Sequence, residues 1–292
     1  MTSPGPCVVH HALPNGSSPL MPRGNASYRG SMNANSTALV TGATSGIGAE
    51  FARQLAERGH DLVLVARNTD RLDKQADELA SRYGVSCTTL PADLALRDDV
   101  ERVADRLRSP VDPIDILINN AGFGFTTILT DEDTSDLERA IDVMALAPLV
   151  LGAAAAHTMI PRGHGQIITV ASLASWVTQG AYSAIKAFAK VWSEGLSVDL
   201  AGTGVTATAL CPGWVTTEFH QRAGLAGQAR SIPTWAWVSP QRCVREALID
   251  ADKGKVLSIP TKRWKIAAFL LQHLPASAVQ AISRRLAASK VQ

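Results

Sequence analysis

The sequence has little cysteine, few aromatic residues and no long uninterrupted apolar run. Its four cysteines lie at positions 7, 87, 211 and 243, too few and too dispersed for a disulfide scaffold or a CxxC metal site. The longest nearly uncharged apolar stretch, Val143 to Ala156, contains Pro148 and Gly152 and falls short of the roughly 18 residues that a membrane span needs. We therefore expect free thiols, no bound metal, no transmembrane segment and a cytoplasmic location.

Acidic residues are missing from both ends of the chain. No Asp or Glu precedes Glu50 and none follows Asp252, whereas residues 253–292 carry eight Lys and Arg. The part between holds all 26 acids and 18 of the 28 bases, a formal net charge of −8. A negative body argues against nucleic-acid binding.

Residues 1–35 are rich in Pro, Gly, Ser and Asn and have no period of 2 or 3.6, which is typical of disorder. They contain no continuous apolar segment typical of a secretory signal. A disordered N-terminal extension is predicted. Translation from Met21 or Met32 is an alternative interpretation of this segment.

From Ser36, short apolar runs alternate with helical segments. Candidate strands are 37–40, 61–65, 86–90, 114–118, 166–170, 205–210 and 256–259, and candidate helices are 47–58, 69–83, 97–108, 134–159, 182–201 and 240–252. Continuous apolar runs indicate parallel strands buried on both faces. The pattern predicts an α/β fold with a single Rossmann-type doubly wound parallel sheet of about seven strands over residues 36–260, with helices on both faces. A basic amphipathic helical extension, 261–292, follows.

A glycine-rich loop follows the first strand and opens the first helix. In this position glycines allow a tight turn and close approach to a pyrophosphate, which the helix N-terminus stabilises. A purely structural turn is the alternative. The candidate cofactor-binding residues of this loop are Gly42, Thr44, Ser45, Gly46, Ile47 and Gly48.

The end of the second strand distinguishes two cofactors. An acid there favours the ribose hydroxyl of NAD(H), whereas a cation accommodates the 2′-phosphate of NADP(H). The sequence has Arg67 and no acid, which favours NADP(H) and leaves NAD(H) as the alternative. Arg67 could instead only cap or solvate the second helix.

A tyrosine and a lysine four residues apart lie on one face of the predicted fifth helix. An ammonium near a phenol favours phenolate and should lower the pKa of Tyr182 toward the working range, so that it can act as acid and base. Ser172 ends the fifth strand and could donate a hydrogen bond to a substrate oxygen. Alone, the Tyr182 and Lys186 spacing is common and usually without function; beside a glycine loop it indicates catalysis.

Together these motifs resemble the classical short-chain dehydrogenase/reductase family over about residues 36–260. Thr41 to Gly48 matches its glycine loop, Asn119 to Gly122 its NNAG motif, and Pro212 to Thr217 its PG motif. The resemblance implies cofactor contacts from Asp93, Leu94, Asn120, Ala121, Gly122, Tyr182, Lys186, Pro212, Gly213, Val215 and Thr217. It also implies hydride transfer between the cofactor and a carbonyl or alcohol, with Tyr182, Lys186 and Ser172 as catalytic residues and a homodimer or homotetramer as the assembly.

Two positions depart from the family. Met144 replaces an Asn thought to anchor a water chain, and a thioether cannot do this. Ser172 lies only ten residues before Tyr182, a short spacing that leaves Ser175 as a less favoured substitute. These departures motivate the alternative of a non-catalytic dinucleotide-binding regulator with an impaired proton relay.

The resemblance places a substrate lid between Thr217 and Pro240. Phe219, Trp235 and Trp237 would make it apolar and favour a lipophilic small-molecule substrate; core packing is the alternative for the tryptophans. His220 is interpreted as a solvated side chain. Residues 262–290 combine apolar and basic positions without acids, which suits either peripheral membrane contact or a helix covering the lid or a partner subunit.

Overall fold

The computed structural model describes residues 36–219 and 232–288. The predicted disorder of residues 1–35 and the interpretation of His220 fall on residues outside these ranges. The strands are β1 Thr37–Thr41, β2 Asp61–Ala66, β3 Cys87–Pro91, β4 Ile114–Asn119, β5 Gly165–Val170, β6 Val205–Leu210 and β7 Leu257–Ser258. The helices are α1 Gly46–Glu57, α2 Thr69–Tyr83, α3 Arg97–Arg108, α4 Ser135–Ile141, α5 Ala147–Arg162, α6 Gly180–Asp199, α7 Pro240–Asp252, α8 Lys262–His273 and α9 Ala276–Ala288.

The seven strands form one parallel sheet in the order β3-β2-β1-β4-β5-β6-β7. The predicted doubly wound Rossmann-type sheet is therefore confirmed. The chain crosses from one half of the sheet to the other between β3 and β4, so the order reverses beside β1. A ligand crevice forms at such a switch point, outside the carboxyl ends of the strands.

Both faces of the sheet are covered, which explains why the strands are apolar at every position. In β1, Ala38 and Val40 pack with α1, α2 and α7, whereas Leu39 packs on the opposite side with α3, α5 and α6. The same alternation continues in β2, where Leu62 and Val63 enter opposite cores. Because successive strand side chains point to opposite faces, only a strand buried on both sides needs apolar residues throughout.

The helix predicted over residues 134–159 contains a break. α4 and α5 are joined by a π-helical turn at Asp142–Leu146, where the amide of Ala147 bonds the carbonyl of Asp142. The continuous segment Ser135–Arg162 is long and apolar enough to cross a membrane, but 67% of its most apolar window is buried inside the fold. Its apolar composition reflects packing on α3 and on the sheet.

The residues after β7 form two helices, α8 and α9. Ser283 of α9 accepts a hydrogen bond from the amide of Thr178, in the segment between β5 and α6, at 3.0 Å. Trp264 of α8 donates to the carbonyl of Ala236 at 3.2 Å. This part of the chain is therefore packed against segments that lie at the carboxyl edge of the sheet.

Candidate active site

A cavity of about 1410 Å³ opens at the carboxyl edge of the sheet. Every predicted site residue except Gly48 lines it. These lining residues are Gly42, Thr44, Ser45, Gly46, Ile47, Arg67, Asp93, Leu94, Asn120, Ala121, Gly122, Ser172, Tyr182, Lys186, Pro212, Gly213, Val215 and Thr217. Ligand pockets commonly span about 300–1,000 Å³, so this cavity has room for a dinucleotide together with a small substrate. Among residues 36–219 and 232–288, no three His, Cys, Asp or Glu side chains cluster as a metal site.

The glycine loop is held against β4 by hydrogen bonds. Thr41 Oγ1 donates to the carbonyl of Ile118 at 3.1 Å and accepts from the amides of Asn120 and Ala121 at 2.9 and 3.1 Å. The side chain of Asn120 donates to the carbonyl of Thr41 at 2.9 Å. These bonds fix the turn from β1 into α1, so the N-terminus of α1 lies at the cavity.

Two positions of the loop require glycine, one because of its backbone conformation and one because of close packing. Gly42 has a φ of 65°, in the left-handed region that favours glycine. A Cβ on Gly48 would lie 2.2 Å from the carbonyl oxygen of Gly42. Gly48 therefore permits close packing of α1 behind the loop, and it does not line the cavity itself.

Two arginines line the cavity at the end of β2. Both Arg67 and Arg71 are exposed, and the second was missed by the sequence analysis although it lies one helical turn after Arg67. The cap of α2 is Asn68, whose Oδ1 accepts from the amide of Arg71 at 2.8 Å. Arg67 is thus not the capping residue, and its charge is available to an anionic group in the cavity.

The carboxylate of Asp93 pairs with an arginine from α4 that the sequence analysis did not single out. Arg139 Nη2 lies 2.7 and 3.0 Å from the two carboxylate oxygens. Burial raises the pKa of Asp93, but the bonds from Arg139 and Ala95 and the nearby charge of Arg67 outweigh it, so the pKa is lowered. The acid is therefore ionised and oriented at the cavity wall.

Ser172, Tyr182 and Lys186 meet at the inner end of the cavity. The hydroxyl of Tyr182 hydrogen-bonds with Ser172, whose Oγ also accepts from the amide of Ala174 at 3.1 Å. Lys186 is buried, its Nζ donates to the carbonyl of Val170 at 2.8 Å, and it lies 5.9 Å from the centre of the Tyr182 ring. The short spacing between Ser172 and Tyr182 therefore does not separate them.

Ser175 does not line the cavity. Its Oγ donates to the carbonyl of Lys186 at 2.8 Å, which ties the segment before α6 to the helix itself. Ser175 thus has a structural partner, and Ser172 is the serine that faces Tyr182.

The pKa values of Tyr182 and Lys186 differ from those expected from the sequence. Burial raises the pKa of Tyr182 to about 12, and the hydrogen bond with Ser172 opposes this only in part. Burial also lowers the pKa of Lys186 to about 8. The prediction that the ammonium lowers the pKa of Tyr182 was wrong, because desolvation dominates the pKa of both groups and Lys186 Nζ donates to the carbonyl of Val170.

Met144 lies in the π-helical turn, buried against the NNAG segment. A Cβ on Gly122 would lie 3.0 Å from the Met144 Sδ, so the thioether fills the space beside that glycine. Val143, the preceding residue, lines the cavity, whereas Met144 does not. The position thus contributes packing to the wall and no polar group.

The outer wall of the cavity is apolar. Phe219 packs on the Tyr182 ring with 6.1 Å between ring centres, Phe125 contacts the same ring at 6.3 Å, and Trp235 lines the cavity while being 64% exposed. Trp237 does not line it. Its indole packs on Trp214 with 5.8 Å between ring centres, which favours the packing alternative for this tryptophan.

Helix α8 completes this wall, whereas the sequence analysis expected this part of the chain to contact a membrane or to cover the lid or a partner subunit. Trp264, Ala267 and Leu271, spaced along one helical face, line the cavity. The indole of Trp264 covers Gly213 so closely that a Cβ there would lie 2.3 Å from Trp264 Cε2. The i, i+3, i+7 spacing was the available signal, but only the tertiary structure places it over the PG motif.

The sequence pattern of the short chain dehydrogenase family matches residues 36–226. The chain belongs to that family. A short-chain dehydrogenase from Sphingobium yanoikuyae, solved in complex with NADPH, is 34% identical, with a TM-score of 0.73 over 82% of this chain and 97% of that one.

The names of two further relatives describe enzymes of carbonyl or alcohol groups. The bulky-bulky ketone specific alcohol dehydrogenase from Comamonas testosteroni is 30% identical, with a TM-score of 0.70 over 84% of this chain and 96% of that one. A very-long-chain 3-oxoacyl-CoA reductase from Anas platyrhynchos is 30% identical over 220 residues, which are 72% of this chain and 67% of the relative. As a member of this family, the chain is an oxidoreductase of carbonyl and alcohol groups.

Proposed function

We propose that this protein is an NADP(H)-dependent reductase of a lipophilic carbonyl compound and that it works in the cytoplasm. The observation that carries the proposal is the meeting of Ser172, Tyr182 and Lys186 in the same cavity as the glycine loop and Arg67. The dinucleotide-binding and proton-transferring groups thus line one enclosed space. Carbonyl reduction requires that the hydride donor and the proton donor reach the same carbonyl group.

The cofactor, when bound, supplies the hydride. The Tyr182 hydroxyl gives its proton to the carbonyl oxygen as negative charge develops there, and the Ser172 hydroxyl donates a hydrogen bond that positions that oxygen. A pKa of about 12 keeps Tyr182 protonated at neutral pH, which suits a proton donor in the reductive direction. Lys186, buried with its Nζ 5.9 Å from the centre of the Tyr182 ring, is placed to return a proton to the phenolate after the transfer.

NADP(H) is the cofactor that the arginines at the end of β2 support, with NAD(H) as the alternative. Arg67 and Arg71 offer planar donors suited to a phosphate, and the related Sphingobium enzyme was solved with NADPH. Hydrogen bonds to charged groups contribute about 1.5–3 kcal/mol, so Arg67→Ala should reduce the NADPH-over-NADH preference about 10- to 100-fold.

The cofactor experiment measures kcat/KM for both dinucleotides in Arg67→Ala and in Arg82→Ala. Arg82 is an exposed arginine in the last turn of α2, the helix that follows Arg67, and it does not line the cavity. An unchanged preference in Arg67→Ala would contradict the assignment, and an equal loss in Arg82→Ala would point to nonspecific charge.

A lipophilic substrate is supported by the aromatic wall formed by Phe125, Phe219, Trp235 and Trp264. The names of the Comamonas and Anas relatives point to bulky ketones and long acyl chains. In a panel of ketones of increasing chain length, kcat/KM should rise with chain length, since each buried methylene contributes about 0.8 kcal/mol. A preference for short polar ketones would contradict this part of the proposal.

The second candidate is a dinucleotide-binding regulator without turnover. Met144 favours it, because a buried thioether stands where the family has the Asn of the water chain. Tight NADPH binding with no turnover on a broad panel would support the regulator. Recovery of turnover in Met144→Asn would then locate the defect in proton supply.

We also propose a homodimer or homotetramer through α5 and α6. Both helices expose apolar side chains that a second copy could cover, namely Leu149, Phe188, Val191 and Val198. Light scattering after size exclusion tests the state, and Val191→Glu should shift it toward monomer.

A further inference from the structure

The helix α8 has two apolar faces, and within residues 36–219 and 232–288 the fold packs against one of them. The inner face carries Trp264, Ala267 and Leu271, which line the cavity, and Ala268, which is buried. The outer face carries Ile266, Phe269 and Leu270, which are 61%, 61% and 56% exposed. A helix of a soluble fold normally presents polar residues to solvent, so three large apolar groups on one turn mark an interaction surface.

Charge selects the partner of this surface. Lys262 and Lys265 are exposed on the same helix, and no acid occurs anywhere in residues 253–292. One acid near this helix, Glu246, is already bonded by Arg242 and by the amide of Thr261. Burial raises the pKa of Glu246, but these bonds and the charges of Arg242 and Lys265 outweigh it, so the pKa is lowered. An apolar face flanked by cations without acids of its own fits an anionic lipid surface.

The helix that carries this surface also lies at the cavity opening, which the exposed, cavity-lining Trp235 marks. Trp235 both lines the cavity and is mostly exposed, and its neighbours Ala236 and Trp237 accept hydrogen bonds from Trp264 and Arg263 of α8. These bonds hold α8 against the segment that carries the exposed indole of Trp235.

We propose that the outer face of α8, formed by Lys262, Lys265, Ile266, Phe269 and Leu270, docks on an anionic membrane and presents the cavity mouth to the lipid phase. Binding is peripheral, because α8 has 12 residues, about 18 Å of helix, and cannot cross a bilayer. The apolar side chains enter the interface while the lysines contact lipid phosphates. This proposal does not depend on turnover, since membrane binding is measured without substrate or cofactor.

The test is co-sedimentation of the full-length protein with vesicles of phosphatidylcholine alone or with about one third phosphatidylglycerol. We expect binding to the anionic vesicles, at least tenfold weaker binding to the neutral ones, and a fall in binding as salt rises. Phe269→Glu combined with Leu270→Glu should weaken binding at least tenfold. Lys262→Gln should weaken it about fivefold, since each basic residue near an anionic surface contributes about 1 kcal/mol.

The matched control is Val111→Glu, at an apolar residue that is 69% exposed just before β4, at the opposite edge of the sheet. It should bind as the unaltered protein does, and circular dichroism checks that every variant is folded. The proposal is overturned if the unaltered protein ignores anionic vesicles or if Phe269→Glu with Leu270→Glu binds equally well. It is also overturned if the same double variant instead dissociates an oligomer in vesicle-free solution, which would make a second copy the occupant of this face.

Discussion

The contact between Gly213 and Trp264 gives a direct test of whether α8 is an integral part of the cavity wall. Replacing Gly213 by alanine would place a Cβ 2.3 Å from Trp264 Cε2 and 2.5 Å from its Nε1, well inside van der Waals contact. Gly213 does not have a positive φ, so alanine itself introduces no backbone strain. The entire effect should therefore come from displacing the indole.

The magnitude follows from how firmly the indole is held. Trp264 Nε1 donates to the carbonyl of Ala236 at 3.2 Å. The ring packs against two apolar clusters, the core on the α1 and α7 side of the sheet and a smaller cluster that contains Ala268. Overpacking of such a site costs about 1–3 kcal/mol. We expect Gly213→Ala to lower the free energy of unfolding by that amount and to lose most of this effect in a Trp264→Leu background.

The assay is urea unfolding of the four proteins of this cycle, followed by circular dichroism. Gly195→Ala is the control, because a Cβ at that position in α6 meets nothing within 4 Å and should stabilise the helix by about 0.5–1 kcal/mol. Coupling of about 1–2 kcal/mol between positions 213 and 264 is the predicted result. The reasoning is refuted if Gly213→Ala is as harmless as Gly195→Ala, or equally costly with and without the indole.

Three further predictions concern strain and charge. Thr261 has a φ of 72° before α8, so Thr261→Gly should raise the free energy of unfolding by about 1–2 kcal/mol, and a loss of stability in urea unfolding would contradict the strain. Burial lowers the pKa of Lys186 from 10.5 to about 8, so between these pH values the unfolded chain binds more protons than the folded one and the free energy of unfolding rises with pH. Lys186→Met should remove this rise, which is at most about 3 kcal/mol. An identical pH profile of unfolding in the variant would refute the prediction. Asp93→Asn should lower the free energy of unfolding by less than about 1 kcal/mol at pH 7, because its partner Arg139 is 36% exposed. Since the fold lowers the pKa of Asp93, the difference in stability between the two proteins should vanish as pH falls through that pKa. A difference that grows in acid would contradict this sign.

The sheet and most helices could be predicted because their signals are local. Continuous apolar strands and the glycine loop depend on residues that are neighbours in the chain. The break at Asp142–Leu146 was not predicted, since a π-helical turn keeps helical composition and changes only the hydrogen-bond register. The shorter β7 reflects its position at the edge of the sheet, where only Leu257 and Ser258 pair with β6.

The candidate site was predictable where a motif places its own residues and less so where distant segments meet. Tyr182, Lys186 and Ser172 were found from spacing and strand position. Arg139 and Trp264 were missed, because their roles arise from contacts with Asp93 and Gly213, which lie 46 and 51 residues away in the chain. The direction of the Tyr182 pKa was missed for a similar reason, since burial by Phe125 and Phe219 is a tertiary property.

The most direct test of the central claim is the rate of NADPH oxidation with a lipophilic ketone, in the unaltered protein and in Tyr182→Phe. Tyr83→Phe serves as the control, because that hydroxyl accepts from Arg53 and lies outside the cavity. The account predicts turnover that survives Tyr83→Phe and falls at least a hundredfold in Tyr182→Phe, with NADPH affinity nearly unchanged. Equal turnover in Tyr182→Phe and the unaltered protein would contradict the assigned proton donor.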